Sequence, residues 1–166
     1  IVYLEPADNQ WRSMRVAPWA LPRFPPFPSS PAVKPAGGVI SVEAEHFDAS
    51  VERGGARWQV IRGLGRTGDS VAMFPTTTPG VASTELATAA PRLDYAIDFA
   101  APGEFPVTIN LIPTQPIAAG RGLRFALGLD EQRPQEVVVN VRDGSADWAQ
   151  GVLTATVMGS ARLAVT

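Results

Sequence analysis

The 166-residue sequence contains no cysteine and only one histidine. Without cysteine there are no disulfides, no thiol nucleophile and no thiolate metal site. Because zinc hydrolases of the histidine-rich kind need several imidazoles, the single His46 excludes them as well. A serine hydrolase would have to use His46, and no GxSxG nucleophile motif accompanies it. We therefore predict that this chain is not itself an enzyme.

The chain also has little charge and no long apolar run. Charged residues make up 18% of the sequence, the formal net charge is −2, and the basic residues are dispersed. We expect neither nucleic acid nor a membrane as a partner, since no basic patch is present and no run approaches the roughly 20 apolar residues of a membrane span. The sequence opens on Ile1 without a signal peptide and stops at Thr166 within a strand pattern, so we expect a piece of a longer protein, truncated at its C-terminus.

Residues 1–38 are rich in proline and in large apolar side chains. The prolines of WRSMRVAPWALPRFPPFPSSPAVKPAGG remove backbone donors and block helices and central strands. A solvated linker would be rich in small and charged residues instead. We predict an extended arm or interdomain linker that lies against the domain or against a preceding domain, with four interface residues: Trp11, Trp19, Phe24 and Phe27.

From residue 39 onward, apolar and polar residues alternate as in half-buried strands. Leu93 to Phe99 and Leu123 to Leu129 both follow this period. The turn residues of Ala101–Glu104 predict an antiparallel hairpin between the first of these strands and the segment after the turn. Further strands are expected in VISVEAEHF, WQVI, DSVAMF, QEVVVNV and ARLAVT, and DWAQGVL is expected to form a short helix or a strand. We predict an all-β domain over residues 39–166, an antiparallel, jelly-roll-like β-sandwich.

The segment VEAEHF carries the candidate metal ligands. On a strand, Glu43 and Glu45 would project to the same face, where two carboxylates are costly unless they are exposed or bridged by a cation. Oxygen ligands of this kind suit calcium, so the pair is either a solvent-facing surface or part of a structural calcium site. His46 would share its face with Ile40, Val42 and Ala44 and is expected to be packed or to cap a strand edge.

Other motifs bear on binding and catalysis. Acidic residues are mostly isolated, and nothing marks the carboxyl pair that glycoside hydrolysis needs. RGLGRTGDS lacks the Lys-Ser/Thr ending of a phosphate loop and predicts a tight loop between strands. Trp58 and Trp148 each flank a polar or glycine-rich turn, where an indole could stack on a sugar; burial in the core is the alternative for each.

Several longer stretches resemble the C-terminal domain of glycoside hydrolase family 115, the xylan α-1,2-glucuronidases. They are ISVEAEHF, Trp58 with QVIRGLGRTGDSVAMFP, PRLDYAIDF, LIPTQPIAAGRGLRFALGLDEQRPQEVVV and DWAQGVL. The GLGRTG and PTQP…GRGLRFALGLD blocks are the most specific, because β-structure alone does not require them.

The resemblance implies an accessory role beside catalytic domains that precede this one in the same parent chain. It also implies a β-sandwich similar to carbohydrate-binding modules of families 6 and 35, whose acidic start contributes calcium ligands, and an extracellular or periplasmic location. The expected partner is plant xylan or another glucuronic acid-bearing oligosaccharide, bound at Trp58 and Trp148. A structural or dimerising module without sugar binding is the alternative.

Overall fold

The fold is known from a computed structural model that describes residues 38–66, 68–115, 122–139 and 141–166. The predicted arm, with Trp11, Trp19, Phe24 and Phe27, lies outside these ranges except for Gly38. The described residues form eight strands and two helices. In chain order they are β1 (Ala49–Val51), β2 (Arg57–Ile61), β3 (Ser70–Phe74), α1 (Leu86–Ala89), β4 (Arg92–Asp94), β5 (Gly103–Leu111), β6 (Leu123–Leu127), β7 (Gln135–Val139), α2 (Ala146–Thr154) and β8 (Val157–Val165).

The strands pair as four antiparallel two-stranded sheets, β1 with β4, β2 with β3, β5 with β8 and β6 with β7. Most regular structure in the described residues is strand, so the all-β prediction is confirmed. The GLGRTG segment connects β2 to β3, as expected of a tight loop between strands.

The β5–β8 pair is the longest ladder and runs from the pair Gly103 and Val165 to the pair Leu111 and Val157. On β5 the apolar residues are half-buried while the residues between them are exposed, which is the period-2 pattern of a strand with one covered face. Pro106 lies opposite Arg162 and has no N–H to donate to the ladder. Among the described strands, β5 pairs only with β8, and a proline within a strand is tolerated where its nitrogen faces the unpaired edge.

The β6–β7 pair packs against β8 at Gly159. A Cβ atom at Gly159 would lie 3.2 Å from side-chain atoms of Phe125, Val137 and Val139, which shows how closely the two sheets approach. Side-chain amides of Gln132 and Gln135, near the start of β7, donate to backbone carbonyls of β8. The β6–β7 pair is therefore held on β8 by both apolar packing and hydrogen bonds.

Few apolar side chains are fully enclosed in the described part of the chain. The buried hydrophobic residues are Ala56 at 1%, Val137 at 6% and Leu163 at 8% relative exposure. Apolar residues on the inner faces of β2, β3, β5 and β6 remain half-buried. The described part of the domain therefore buries fewer apolar side chains than its apolar content would allow.

The predicted hairpin across Ala101–Glu104 is wrong in its pairing. β4 ends at Asp94 and pairs with β1, while β5 pairs with the last strand, β8. The alternation did predict the covered face, because Leu93, Tyr95, Ile97 and Phe99 are all half-buried. Alternation reports which face is covered, whereas the partner of a strand is decided by contacts distant in sequence.

The predicted strand VISVEAEHF is also wrong. Residues 40–48 include a turn at Ala44 and Glu45, closed by the His46 amide donating to the Glu43 carbonyl at 3.0 Å. The turn breaks the period of two, so His46 is exposed and is not packed in the interior, which was one of its two expected positions. Of the two options for DWAQGVL, the structure has the helix, α2, with the Ser145 side chain accepting from the Trp148 amide at its N-cap.

Candidate functional site

A buried carboxylate holds the loop between β2 and β3. Glu45 is 6% exposed, and its Oε1 accepts a hydrogen bond from the Asp69 amide at 3.0 Å. A Cβ atom at Gly68 would lie 2.8 Å from the same oxygen, so a larger residue at this position would displace the Glu45 carboxylate. The other oxygen, Oε2, is buried and has no hydrogen-bond partner among the residues that the structure describes.

The Asp69 side chain closes the same loop from its far end. Its carboxylate accepts from the Arg62 guanidinium at 2.9 Å and from the Gly63 amide at 2.8 Å. Within the loop, the Gly65 amide donates to the Gly68 carbonyl at 2.9 Å. These bonds fix the base of the loop, and its outer residues Leu64 and Arg66 are exposed.

Tyr95 completes the surroundings of Glu45. Its hydroxyl donates to the Ala44 carbonyl at 2.7 Å. Burial, together with the nearby negative charge of Glu45, raises the pKa of Tyr95 to about 12, because both disfavour the phenolate. The turn at Ala44 and Glu45 is thus tied to β4 through Tyr95 and to the β2–β3 loop through Asp69.

The two glutamates predicted to share a face lie in different environments. Glu43 is exposed and Glu45 is buried, because the turn between them replaces the expected strand. Within the described ranges, no group of three or more histidine, aspartate or glutamate side chains is placed to hold a metal ion. The Glu45 environment is therefore that of a loop anchor with one unpartnered oxygen.

The two candidate sugar-binding tryptophans lie on separate elements. Trp58 is half-buried on β2, and its indole N–H donates to the Pro91 carbonyl at 3.1 Å. Trp148 is half-buried in the first turn of α2. Both rings are partly buried and partly exposed, so burial does not distinguish stacking on a sugar from packing in the core for either tryptophan.

A groove of about 530 Å³ opens between the β2–β3 loop, α2 and β8. On one face of α2, Asp147, Gln150, Gly151 and Thr154 follow the helical spacing and line it. Arg66 enters from the loop. The remaining lining residues lie on or beside the strands and are Asn110, Val141, Thr156, Val157 and Met158.

Sequence reasoning missed the groove because its residues are far apart in the chain. Only Asp147, Gln150 and Thr154 carry a local signal, the i, i+3 and i+7 spacing of a helix face. Placing Arg66 and Asn110 beside them depends on the long-range pairing of β5 with β8.

A second loop is fixed by an ion pair on the outer side of β6–β7. Glu136 accepts from the Ser83 hydroxyl at 2.7 Å and from the Arg124 guanidinium at 2.8 Å. These interactions, the Ser83 hydrogen bond first, lower the pKa of Glu136. Arg124 also donates to the Val81 carbonyl, so the group holds the segment before α1 against the hairpin.

None of the helices in the described ranges has the length and apolar character needed to cross a membrane. A search of curated proteins finds no match to this chain. The family model described as the glycosyl hydrolase family 115 C-terminal domain matches residues 35–165, which is most of the sequence. Such a domain is an accessory part of a glycoside hydrolase. This chain belongs to the glycosyl hydrolase family 115 C-terminal domain family.

Proposed function

We propose that this chain is a non-catalytic module that packs against the catalytic domains preceding it in a xylan α-1,2-glucuronidase-like parent enzyme. The observation that carries the proposal is the apolar surface around the end of α2 and the start of β8. Here Val152 is 52%, Leu153 81% and Met158 69% exposed. Exposed apolar groups that lie close together mark interaction surfaces more often than single ones do.

Family membership favours a covalently attached domain as the occupant of this surface. A C-terminal domain follows other domains in its parent chain, so the nearest available partner is covalently attached. Attachment raises the effective concentration of the partner, and a modest apolar contact is then sufficient for docking. The incomplete enclosure of the core fits a module that is covered by a neighbour.

The test compares Leu153→Glu with a matched control, Val138→Glu, which changes a 53% exposed side chain on β7. In the isolated 166-residue chain both variants should alter the free energy of unfolding by less than about 0.5 kcal/mol. In the intact parent enzyme, Leu153→Glu should lower it by about 1–3 kcal/mol because a buried charge lacks a partner, whereas Val138→Glu should not.

Equal effects of Leu153→Glu in the two contexts would contradict docking. Sedimentation of the isolated chain distinguishes docking onto a preceding domain from dimerisation with a second copy of the chain. A dimer that Leu153→Glu dissociates would assign this surface to a second copy, and the chain would then be a dimerising module.

Carbohydrate binding, with glucuronoxylan as ligand, is the second candidate function. The groove beside α2 favours it, since its lining includes both apolar and hydrogen-bonding side chains, and sugar sites combine an apolar floor with a few directed hydrogen-bonding groups. Trp58 and Trp148 remain its proposed stacking residues, and the likeness to carbohydrate-binding modules of families 6 and 35 is part of this candidate. Retardation of the chain in a gel containing glucuronoxylan would support it, and unchanged mobility would reject it.

A structural calcium held by Glu43 and Glu45 belongs to the same candidate. Its support is the Oε2 atom of Glu45, which has no hydrogen-bond partner among the described residues. The described residues provide no third acidic ligand for the ion. An unfolding midpoint that rises with added calcium and falls with a chelator would support the site. Export to the extracellular or periplasmic space is also part of this proposal and is tested by fractionating cells that express the parent protein.

A further inference from the structure

We propose that the β2–β3 loop is part of the surface that docks onto the domain preceding this one in the parent chain, with Leu64 as its apolar anchor and Arg66 beside it. This inference rests on the proposed function, docking onto the preceding domains. It extends the docking surface from the end of α2 to a loop that is distant in sequence, and it assigns a chemistry to the surface that the loop contacts.

Hydrogen bonds from two sides fix the base of this loop. The Asp69 carboxylate accepts from the Arg62 guanidinium at 2.9 Å and from the Gly63 amide at 2.8 Å. The Asp69 amide in turn donates to Glu45, which is 6% exposed, at 3.0 Å. Burying a carboxylate costs free energy. The fold therefore uses a buried charged group to hold this loop in one conformation.

The tip of the anchored loop presents an apolar side chain to the outside. Leu64 is 54% exposed, and Arg66 is exposed as well. One exposed leucine is ordinary on a protein surface. On a loop whose base is fixed, the same side chain loses less conformational entropy when a partner covers it. Anchoring the base while leaving the tip uncovered suits a loop that contacts another surface.

The tip borders the surface that is proposed to dock. Arg66 lines the groove of about 530 Å³ together with Gly151 of α2 and Met158 of β8. Met158 is 69% exposed and belongs to the apolar surface at the end of α2, as does Leu153 at 81%. A domain that covers Leu153 and Met158 and enters the groove therefore reaches Arg66, so one occupant accounts for both the apolar surface and the loop.

The two exposed side chains define what the occupant presents to the loop. Leu64 requires an apolar patch, because burying it against polar groups would leave those groups without hydrogen-bond partners. Arg66 favours a carboxylate at the border of that patch, since a guanidinium forms two parallel hydrogen bonds with one. The expected contact on the preceding domain is thus an apolar patch with an acidic residue at its rim.

Backbone hydrogen exchange tests the contact when the 166-residue chain is compared with the intact parent enzyme. In the intact enzyme, the peptide that contains Leu64 and Arg66 should exchange more slowly by about tenfold or more, because docking restricts opening of the loop. The exposed turn at Gly54 and Gly55, between β1 and β2, is the control and should exchange equally in both. Equal exchange of the loop peptide in the two contexts overturns the inference.

A variant tests the anchor residue. Leu64→Glu should abolish the slowing in the intact enzyme, whereas Val138→Glu should preserve it, although the two side chains are exposed to nearly the same extent, 54% and 53%. Neither variant should shift the unfolding midpoint of the isolated chain, because both positions are exposed. If the slowing persists in Leu64→Glu, Leu64 is not the anchor and the inference fails.

The Leu153→Glu experiment separates this inference from the proposed function. If Leu153→Glu destabilises the intact enzyme while the loop peptide exchanges equally in both contexts, the loop contact is overturned and docking at the end of α2 stands. If Leu153→Glu has equal effects in both contexts and the loop is not slowed, docking is overturned as a whole.

Discussion

The carboxylate of Glu45 accepts a hydrogen bond from the backbone amide of Asp69, 24 residues further along the chain. This hydrogen bond joins the turn at Ala44 and Glu45 to the loop between β2 and β3. Glu45 is the buried charged residue of the described structure. Loss of its hydrogen-bond partner would therefore lower the free energy of unfolding more than the same loss at a surface carboxylate.

Glu45→Ala should lower the free energy of unfolding by about 1–3 kcal/mol, since it leaves the Asp69 amide without an acceptor. Glu45→Gln retains an acceptor oxygen and should cost less. Glu52→Gln, at an exposed position, serves as the control and should stay within about 0.5 kcal/mol. Urea denaturation measures all three, and equal stability of Glu45→Ala and the control would refute the anchoring role.

Gly159→Ala should destabilise the domain by about 1–3 kcal/mol through overpacking. The added methyl group would lie 3.2 Å from side-chain atoms of Phe125, Val137 and Val139, which is tighter than ordinary van der Waals contact, so these side chains must shift. At Gly128 a methyl group would meet Pro134 at an ordinary 3.5 Å, and Gly128→Ala is the matched control. Thermal unfolding that shows the same midpoint for both variants would argue against close sheet packing.

Ala155 ends α2 in the left-handed region at φ 52°. Because this conformation is costly for a residue with a Cβ, Ala155→Gly should stabilise the domain by about 0.5–1 kcal/mol. Ala149→Gly, in the interior of the same helix, should instead destabilise it by about 1 kcal/mol. Opposite signs in chemical denaturation are expected, and a loss of stability in both variants would contradict the cap geometry.

Tyr95 should ionise at about pH 12, well above the 10.0 of an unperturbed phenol. The sequence has two tyrosines, so Tyr3→Phe isolates its ultraviolet titration. Since the folded pKa is raised, the stability contributed by the neutral phenol is complete below pH 10.0 and is lost as the pH rises to about 12. Glu45→Gln should lower the pKa by removing the nearby charge. Ionisation near 10.0 in the folded chain would contradict the burial of Tyr95.

The sequence predicted the class of fold and the covered faces, because both follow from local alternation. β2, β3, β6 and β7 lie where apolar and β-branched residues cluster, and the half-buried set from Leu93 to Phe99 was correct. Strand partners were not predictable in the same way. β5 pairs with β8 across about 50 residues, and no local pattern encodes that choice.

In the candidate sites, too, the sequence predicted local features but not the contacts between residues that are distant in the chain. The sequence indicated Glu45 as a candidate metal ligand, but as one of two equivalent glutamates on a strand. In the structure, the turn at Ala44 and Glu45 buries Glu45 and leaves Glu43 exposed. Its contact with Asp69 depends on how the β2–β3 loop folds back. Arg66 belongs to the GLGRTG block, for which the sequence predicted a loop between strands, but its surroundings come from α2 and β8.

Pro106 has a consequence for how the chain behaves beside copies of itself. An exposed strand edge can recruit another strand and start aggregation, because its N–H and C=O groups lack partners. On β5 that edge is interrupted by a residue that has no hydrogen to donate, close to the middle of the ladder with β8. A strand arriving at this edge would meet a gap in the row of donors, so the longest ladder of the domain is a poor template for extending its own sheet.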